Sequence, residues 1–341
     1  MKKYIIGLCI AAALIPACRK EAAKPGGNTA PPIVLTPYTI EPPMHFPRMT
    51  IPGDNQPYVE KIQLGRKLYY DAILSNDGRS CSSCHNQDMG FTRTDMFGGT
   101  PVLPHVNLGW TTNFMWNGAV QGTLEDAMLF EVKDFFQTNL GKVNANAEYR
   151  ELFRKYFGVQ EIGYKDLAYA LVQFVRTIIS RDTRYDRWVR GAGTLTHDEA
   201  KGRGIFFSEK GDCFHCHVNP VLSDGAFHNI GLDSPYTNVA DRGLYNVTGQ
   251  AADMGKFRTA NLRNVALRRH YMHDGRFGTL EEVIEFYNSG VKKVGTLDPI
   301  MTKPGRENGL RLTDEEKYQL RVFLETFTDS TFLSDTTLFR F

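Results

Sequence analysis

The sequence predicts a mainly α fold with long loops and few strands, built from two copies of one module. Three observations predict it. Alternating apolar and polar residues are scarce, several windows have helical periodicity, and one compound motif occurs twice. The chain has 341 residues, enough for two domains of ordinary size. It carries 40 Lys+Arg against 38 Asp+Glu; without Lys2 and Lys3, which lie in a removable leader, 38 stand against 38. Bulk charge therefore gives no footprint for nucleic acid. Four of the six cysteines fall in two short clusters, which excludes a disulfide-rich scaffold.

At the N-terminus, Met1-Lys2-Lys3 and the apolar run Tyr4 to Ala13 read as a signal peptide, too short to span a bilayer. The run ends in Ile15-Pro16-Ala17-Cys18, a lipoprotein-type pattern that makes residues 1–18 the signal and Cys18 the lipidated residue, although Pro16 is unusual there. Residues 19–53 are Pro-rich and read as a tether and strap. The repeat follows. Gly65-Arg66-Lys67-Leu68-Tyr69-Tyr70 precedes Cys81-Ser82-Ser83-Cys84-His85, and Gly202-Arg203-Gly204-Ile205-Phe206-Phe207 precedes Cys213-Phe214-His215-Cys216-His217. Between the copies, residues 164–179 have helical periodicity, and Gly191 to Thr194 form a hinge. Thr196 with Glu199, and Thr313 with Glu316, are capping-box pairs that open helices; residues 280–287 read as another. The boundaries are residues 54–190 for the first domain and 191–341 for the second.

C-x-x-C-H is the attachment motif of c-type haem: two thioether links, then a histidine under the iron. Composition alone gives about 0.003 such motifs in a chain like this. A zinc site needs four ligands in one place, and a redox dithiol does not need the histidine. Two covalent haems in two cytochrome c-like domains are therefore expected, held by Cys81, Cys84 and His85 and by Cys213, Cys216 and His217. The far-side ligand of each iron then decides function. A thioether suits an electron store, a phenolate favours oxidised iron, and an open position admits peroxide. For the second haem the candidates are Met254, Met272, Met301 and Tyr287; each is equally readable as core packing. For the first haem His105, Met89 and Met96 are at hand, with no obvious ligand among them. Trp116 reads either as aromatic packing or as an electron relay. Arg263 suits a haem propionate or an interdomain salt bridge. His228 and His273 read as groups near a haem, and His215 as solvent-facing.

Taken together, LGRKLYYDAILS (64–75), CSSCH (81–85), FMWNG and LED (114–126), CFHCH (213–217), FHNIG (227–231), FRTANLRNVA (257–266) and YMHDG with LEE (271–282) resemble the bacterial di-haem cytochrome c peroxidases and the related MauG-type enzymes. The resemblance runs from about Pro52 to the terminal helix. It implies a peroxidatic N-terminal haem, an electron-transfer C-terminal haem, and reduction of hydrogen peroxide with electrons from a small periplasmic cytochrome c or copper protein. It also implies Trp116 between the haems and one calcium ion between the domains, bound by Asn107 with carbonyls near Thr259 and Asn261. Four departures matter. The sixth-ligand position falls on Tyr287, where the peroxidases usually carry Met and MauG carries Tyr, with Met301 as rival. Asn117 replaces an Asp. Gln137 falls at the position of the pocket Glu, leaving Glu131 or Asp134 to move the proton, since an amide does not readily shuttle one. The Arg-Asn pair expected around Thr100 to Leu103 is absent. The expected function is thus a periplasmic, lipid-anchored di-haem peroxidase. The alternatives are a MauG-like oxidase that modifies a partner protein and a plain electron-transfer cytochrome. The partners are peroxide, the donor protein and the membrane through the lipid, with no nucleic acid; a homodimer is compatible.

Overall fold

The computed structural model describes Met1, residues 34–305 and residues 309–339. The expected signal peptide, with Cys18, lies outside the described residues apart from Met1. In the first half the helices are α1 (Val59–Tyr70), α2 (Cys81–Cys84), α3 (Leu124–Phe130), α4 (Leu140–Ala145), α5 (Ala147–Phe157) and α6 (Tyr164–Val175). The second half has α7 (Arg184–Val189), α8 (His197–Phe206), α9 (Tyr245–Thr248), α10 (Leu280–Glu285), α11 (Asp314–Glu325) and α12 (Ser330–Leu333). Among the described residues the strands form two antiparallel pairs of two residues each, Asn113–Phe114 with Val120–Gln121 and Phe227–His228 with Phe257–Arg258. No described helix is long and apolar enough to cross a membrane.

Local chemistry explains where the helices start. The Thr196 hydroxyl accepts from the Glu199 N–H, and the Glu199 carboxylate accepts from the Thr196 N–H, so α8 opens with a closed capping box; Thr313 and Glu316 do the same for α11. α6 ends at Val175, earlier than the sequence pattern suggests, and continues as turns to Ile178.

The duplicated hexapeptide is a helix-crossing device. A Cβ on Gly65 in α1 would overlap the Ala170 carbonyl of α6 and come within 3.1 Å of Phe174 Cβ. A Cβ on Gly202 in α8 would overlap the Gln319 carbonyl of α11 and come within 2.8 Å of Phe323 Cβ. The spacing repeats on both sides: Ala170 and Phe174 are four apart, as are Gln319 and Phe323. Glycine lets the paired backbones approach, and the aromatics four residues on complete the seam. Tyr69 meets Phe174 edge-on at 5.2 Å, and Phe206 meets Phe323 edge-on at 5.6 Å.

From Leu35 to Phe341 the chain folds as one compact unit. It contains two apolar clusters. The first runs from Leu64 to Ile178 and also takes Phe332 and Leu338 from the far end of the chain; the second runs from Tyr185 to Phe327. The link between them is pinned by buried Asp329, whose Oδ2 accepts from Ser180 Oγ (2.9 Å) and from the N–H groups of Arg181 (2.7 Å) and Asp182 (2.9 Å). Phe46, in the irregular stretch before α1, packs edge-on against Trp110 at 4.9 Å and lies 5.0 Å beneath the Arg263 guanidinium.

Because both crossings leave no room for a methyl group, Gly65→Ala and Gly202→Ala are each expected to destabilise the protein by about 1–3 kcal/mol. Urea unfolding of the two variants measures this; a midpoint equal to wild type would show that the helices separate freely.

Candidate functional site

The two histidines of the repeated motif are held alike. α2 is a single turn closed by Ser80 and Ser83, with the Ser80 N–H donating to Ser83 Oγ (3.0 Å). After it, His85 donates from Nδ1 to the Phe91 carbonyl (3.1 Å). In the second half Cys213–His215 form a 3-10 turn, the His217 N–H closes back on the Cys213 carbonyl (2.9 Å), and His217 Nδ1 donates to the Leu222 carbonyl (3.1 Å). Both carbonyls belong to buried residues with left-handed backbone, Phe91 at φ 58° and Leu222 at φ 59°. Non-glycine residues rarely take this conformation, and it persists where the surroundings enforce it. With Nδ1 engaged, Nε2 of each ring keeps its lone pair. Burial reinforces this by lowering both imidazoles to about 4, so they stay neutral. Neutral, oriented imidazoles beside cysteines that form no disulfide are the donor set that covalent haem requires, and these residues fit it.

A cavity of about 240 Å³ opens on the second motif. Cys213, Cys216 and His217 line it, and so do three of the four sixth-ligand candidates, Tyr287, Met301 and Met272. Trp116 forms part of its wall, with Nε1 donating to the Pro101 carbonyl (2.8 Å), while its neighbours Phe114 and Met115 pack into the first apolar cluster. Trp116 therefore bridges the two halves.

Glu131 and Tyr287 occupy the same slot of the repeat. Thr123 caps α3 over the segment Leu124-Glu125-Asp126, and Thr279 caps α10 over Leu280-Glu281-Glu282; both caps are capping boxes. Both helices then widen into a π-helical turn, Glu131–Phe135 and Phe286–Gly290. Glu131 and Tyr287 each lie eight residues after their capping threonine. Each also lies within electrostatic reach of its own cysteines: the Glu131 charge raises Cys81, second to burial, and the charges of Cys216 and Cys213 add to burial in raising the Tyr287 phenol. Burial lifts the Glu131 carboxyl to about 7. Gln137, expected in the peroxide pocket, lies instead on the surface with φ 48°, its carbonyl taken by Asn76 Nδ2 (2.9 Å). The π-helical turn spreads the chain after Glu131, which carries the position reached by counting out of the pocket. Asp134 is exposed as well.

Other expected residues are placed as follows. Arg263 does not line the cavity: its guanidinium forks onto buried Asp186 (2.7 and 2.9 Å), the salt bridge that the sequence left open against a propionate contact. His105 stacks on His85, ring centres 3.4 Å apart, and its Nδ1 lies 3.3 Å from the Tyr69 hydroxyl. Met96 is exposed. His228 sits between Asp298 (2.6 Å) and Asp224 (2.8 Å), and His273 stacks on Phe257 at 3.8 Å and meets Asp241 at 3.0 Å; both line the cavity. His215 joins Glu209 and Lys303 in a surface ionic cluster.

The oxygens expected to bind calcium do not fit that ion. Asn107 Oδ1 accepts from the Ser180 N–H (2.9 Å), and the Thr259 carbonyl accepts from Ser223 Oγ (2.8 Å). The Asn261 carbonyl accepts from the Arg268 guanidinium. Calcium would have to share that last oxygen with a cation. Sequence reasoning missed Arg268 and Arg258, two guanidiniums that line the large cavity and that burial lowers to about 10. Among the described residues neither has a carboxylate in ion-pair range. Arg258 stood inside a recognised segment, but nothing in the spacing of Arg268 marked it.

Comparison with known proteins gives consistent relatives. Residues 59–194 match the family described as di-haem cytochrome c peroxidase. The methylamine utilization protein MauG of Methylorubrum extorquens is 33% identical over 282 residues, covering 78% of each chain. Cytochrome c551 peroxidase of Nitrosomonas europaea is 33% identical over 243 residues, covering 66% of this chain and 72% of that protein. Among solved structures, a MauG-like protein associated with microbial copper homeostasis superposes with a TM-score of 0.78 at 33% identity, covering 89% of this chain and 99% of its own.

If each motif holds one haem, replacing Cys213 and Cys216 by Ser should halve the haem absorbance per chain. The pyridine haemochrome assay measures this, and an unchanged value would remove the second motif from haem attachment.

Proposed function

Because the chain belongs to the di-haem cytochrome c peroxidase and MauG family, we propose that it reduces hydrogen peroxide to water at the haem carried by Cys81, Cys84 and His85. Electrons enter at the haem carried by Cys213, Cys216 and His217 and cross by way of Trp116. One observation carries the reading: the same π-turn slot holds a carboxyl beside the first motif and a phenol beside the second.

When bound, the first haem supplies the electrons and the iron at which the O–O bond is cleaved. The chain supplies proton movement and electron supply. Glu131, with its carboxyl lifted to about 7, takes the proton from the near oxygen of peroxide and delivers it to the far oxygen, which leaves as water. Two electrons and two protons are consumed for each peroxide, and two waters form. Trp116, set by its bond to Pro101 on the cavity wall, is the relay. Arg258 would offer a guanidinium partner to a carboxylate of the second haem. Tyr287 would hold the second iron together with His217, with Met301 as the alternative on the same wall. The donor is a small cytochrome c or copper protein. The chain works in the periplasm, held to a membrane through lipid on Cys18, as its leader pattern and its need for haem attachment outside the cytoplasm suggest.

Tyr287 also favours a second reading, a MauG-like oxidase that modifies a partner protein, because a phenolate ligand stabilises oxidised iron. Optical and EPR spectra after one equivalent of peroxide separate the two. Rapid return to the resting spectrum with a reduced donor supports the peroxidase, and a long-lived oxidised state that only a partner protein discharges supports the oxidase. No spectral change would sink both.

The Glu131 assignment makes pH a test. The carboxyl must be ionised to accept the proton, so peroxide turnover should rise as pH increases through about 7 and fall below it. Glu131→Gln should lose about 100-fold or more and flatten that profile. Gln137→Ala should stay within about twofold of wild type, since a surface side chain is remote from the chemistry. A second check is Tyr287→Met, expected to shift the potential of the second haem upward with the first unmoved. Redox titration reads it, and an unmoved second haem would exclude Tyr287 as the ligand.

A further inference from the structure

The junction between the two halves carries its positive charge on side chains. Arg268 donates to the Asn261 carbonyl, and Asn261 Nδ2 in turn reaches the Val106 carbonyl (3.5 Å), next to Asn107. Arg258 lies beside it. Its Nε donates to the Met115 carbonyl (3.2 Å), and its backbone N–H donates to the Trp116 carbonyl (2.9 Å). Asn107, Asn261 and Arg258 together line a small cavity of about 80 Å³. The acid on that cavity, Asp224, is turned to His228 Nε2 (2.8 Å). A site for Ca²⁺ needs six to eight oxygens, usually including carboxylates, with no cation among them. Here the three oxygens are neutral, each already accepts a hydrogen bond, Arg258 lines the small cavity, and the Arg268 guanidinium holds one of the three oxygens. Arg268 is also close to the second motif: it lines the large cavity together with Cys213, Cys216 and His217.

We propose that Arg268, backed by Arg258, is the resident cation of this junction. It holds the Asn261 carbonyl in place of a bound calcium ion and sets a fixed positive charge beside the second haem. This rests on the reading that Cys213, Cys216 and His217 carry that haem. Arg268 is a positioning residue: it touches no substrate. It fixes the crossing of Asn261 on Val106, and its charge favours the reduced form of the neighbouring iron, which raises its potential. The segment that feeds Trp116 then needs no metal to stay in register.

The test uses the purified holoprotein, with two haems per chain confirmed by pyridine haemochrome. Calcium titration by calorimetry should give no stoichiometric binding, and dialysis against EGTA should leave the melting temperature and both haem potentials unchanged. Arg268→Gln should shift the second haem's potential downward with the first unmoved, and Arg268→Lys should restore most of that shift. One calcium bound per chain, with a melting temperature that falls in EGTA, would overturn the proposal. So would an Arg268→Gln protein that keeps both haems and both potentials. If Arg268→Gln does not fold, the calcium measurements on wild type decide the matter alone. A wild-type haem count below two would overturn the di-haem reading and this inference with it, and the assay shows that before any calcium is added.

Discussion

A single hydrogen bond, made twice, organises the chemistry of this chain. His85 and His217 can each serve a metal only if one ring nitrogen is committed elsewhere and the ring cannot rotate. The Phe91 and Leu222 carbonyls meet both conditions. Each carbonyl comes from a non-glycine residue in a costly backbone conformation, so the loop must be braced by packing, and both residues are fully buried. The surrounding helices can be read as that brace. α1 crosses α6 and α8 crosses α11 at glycines that bring the backbones together, and the aromatic doublets that follow fill the core behind each motif.

On this duplicated support the two halves differ where chemistry needs them to. A capping threonine, one helical segment and a π-helical turn set the same slot against each pair of cysteines. Glu131 fills it in the first half and Tyr287 in the second. A carboxyl lifted towards neutrality suits proton transfer, whereas a phenol suits a metal ligand. One repeated scaffold with one residue exchanged is an economical route from two equal haem modules to a pair with distinct roles.

Much of this was legible in the sequence because covalent chemistry and backbone capping leave rigid spacings. Haem attachment fixes C-x-x-C-H, and Thr196 with Glu199 or Thr313 with Glu316 announce helix starts at a fixed offset. What was not legible depends on contacts between distant segments or on irregular backbone. Counting from the LED segment assigned the pocket to Gln137, but a π-helical turn intervenes and the side chain whose charge reaches Cys81 is Glu131. Arg263 lies in a segment typical of the family, yet its partner Asp186 is 77 residues away and turns it from haem to structure. Asn107, Thr259 and Asn261 have the residue types that calcium uses, but Arg268, outside that pattern, takes one of the oxygens.

The last residues of the chain return to the first half. Phe332 and Leu338 complete its apolar cluster, Gln87 Nε2 donates to the Phe332 carbonyl (3.1 Å), and the Tyr70 hydroxyl donates to the Leu338 carbonyl (2.6 Å). A polypeptide threaded through a membrane from its N-terminus would therefore deliver the first haem motif long before the residues that close over it. In such an export the residues that close over the first motif would arrive last, so its thiols would stay open to haem attachment until the final segment docks.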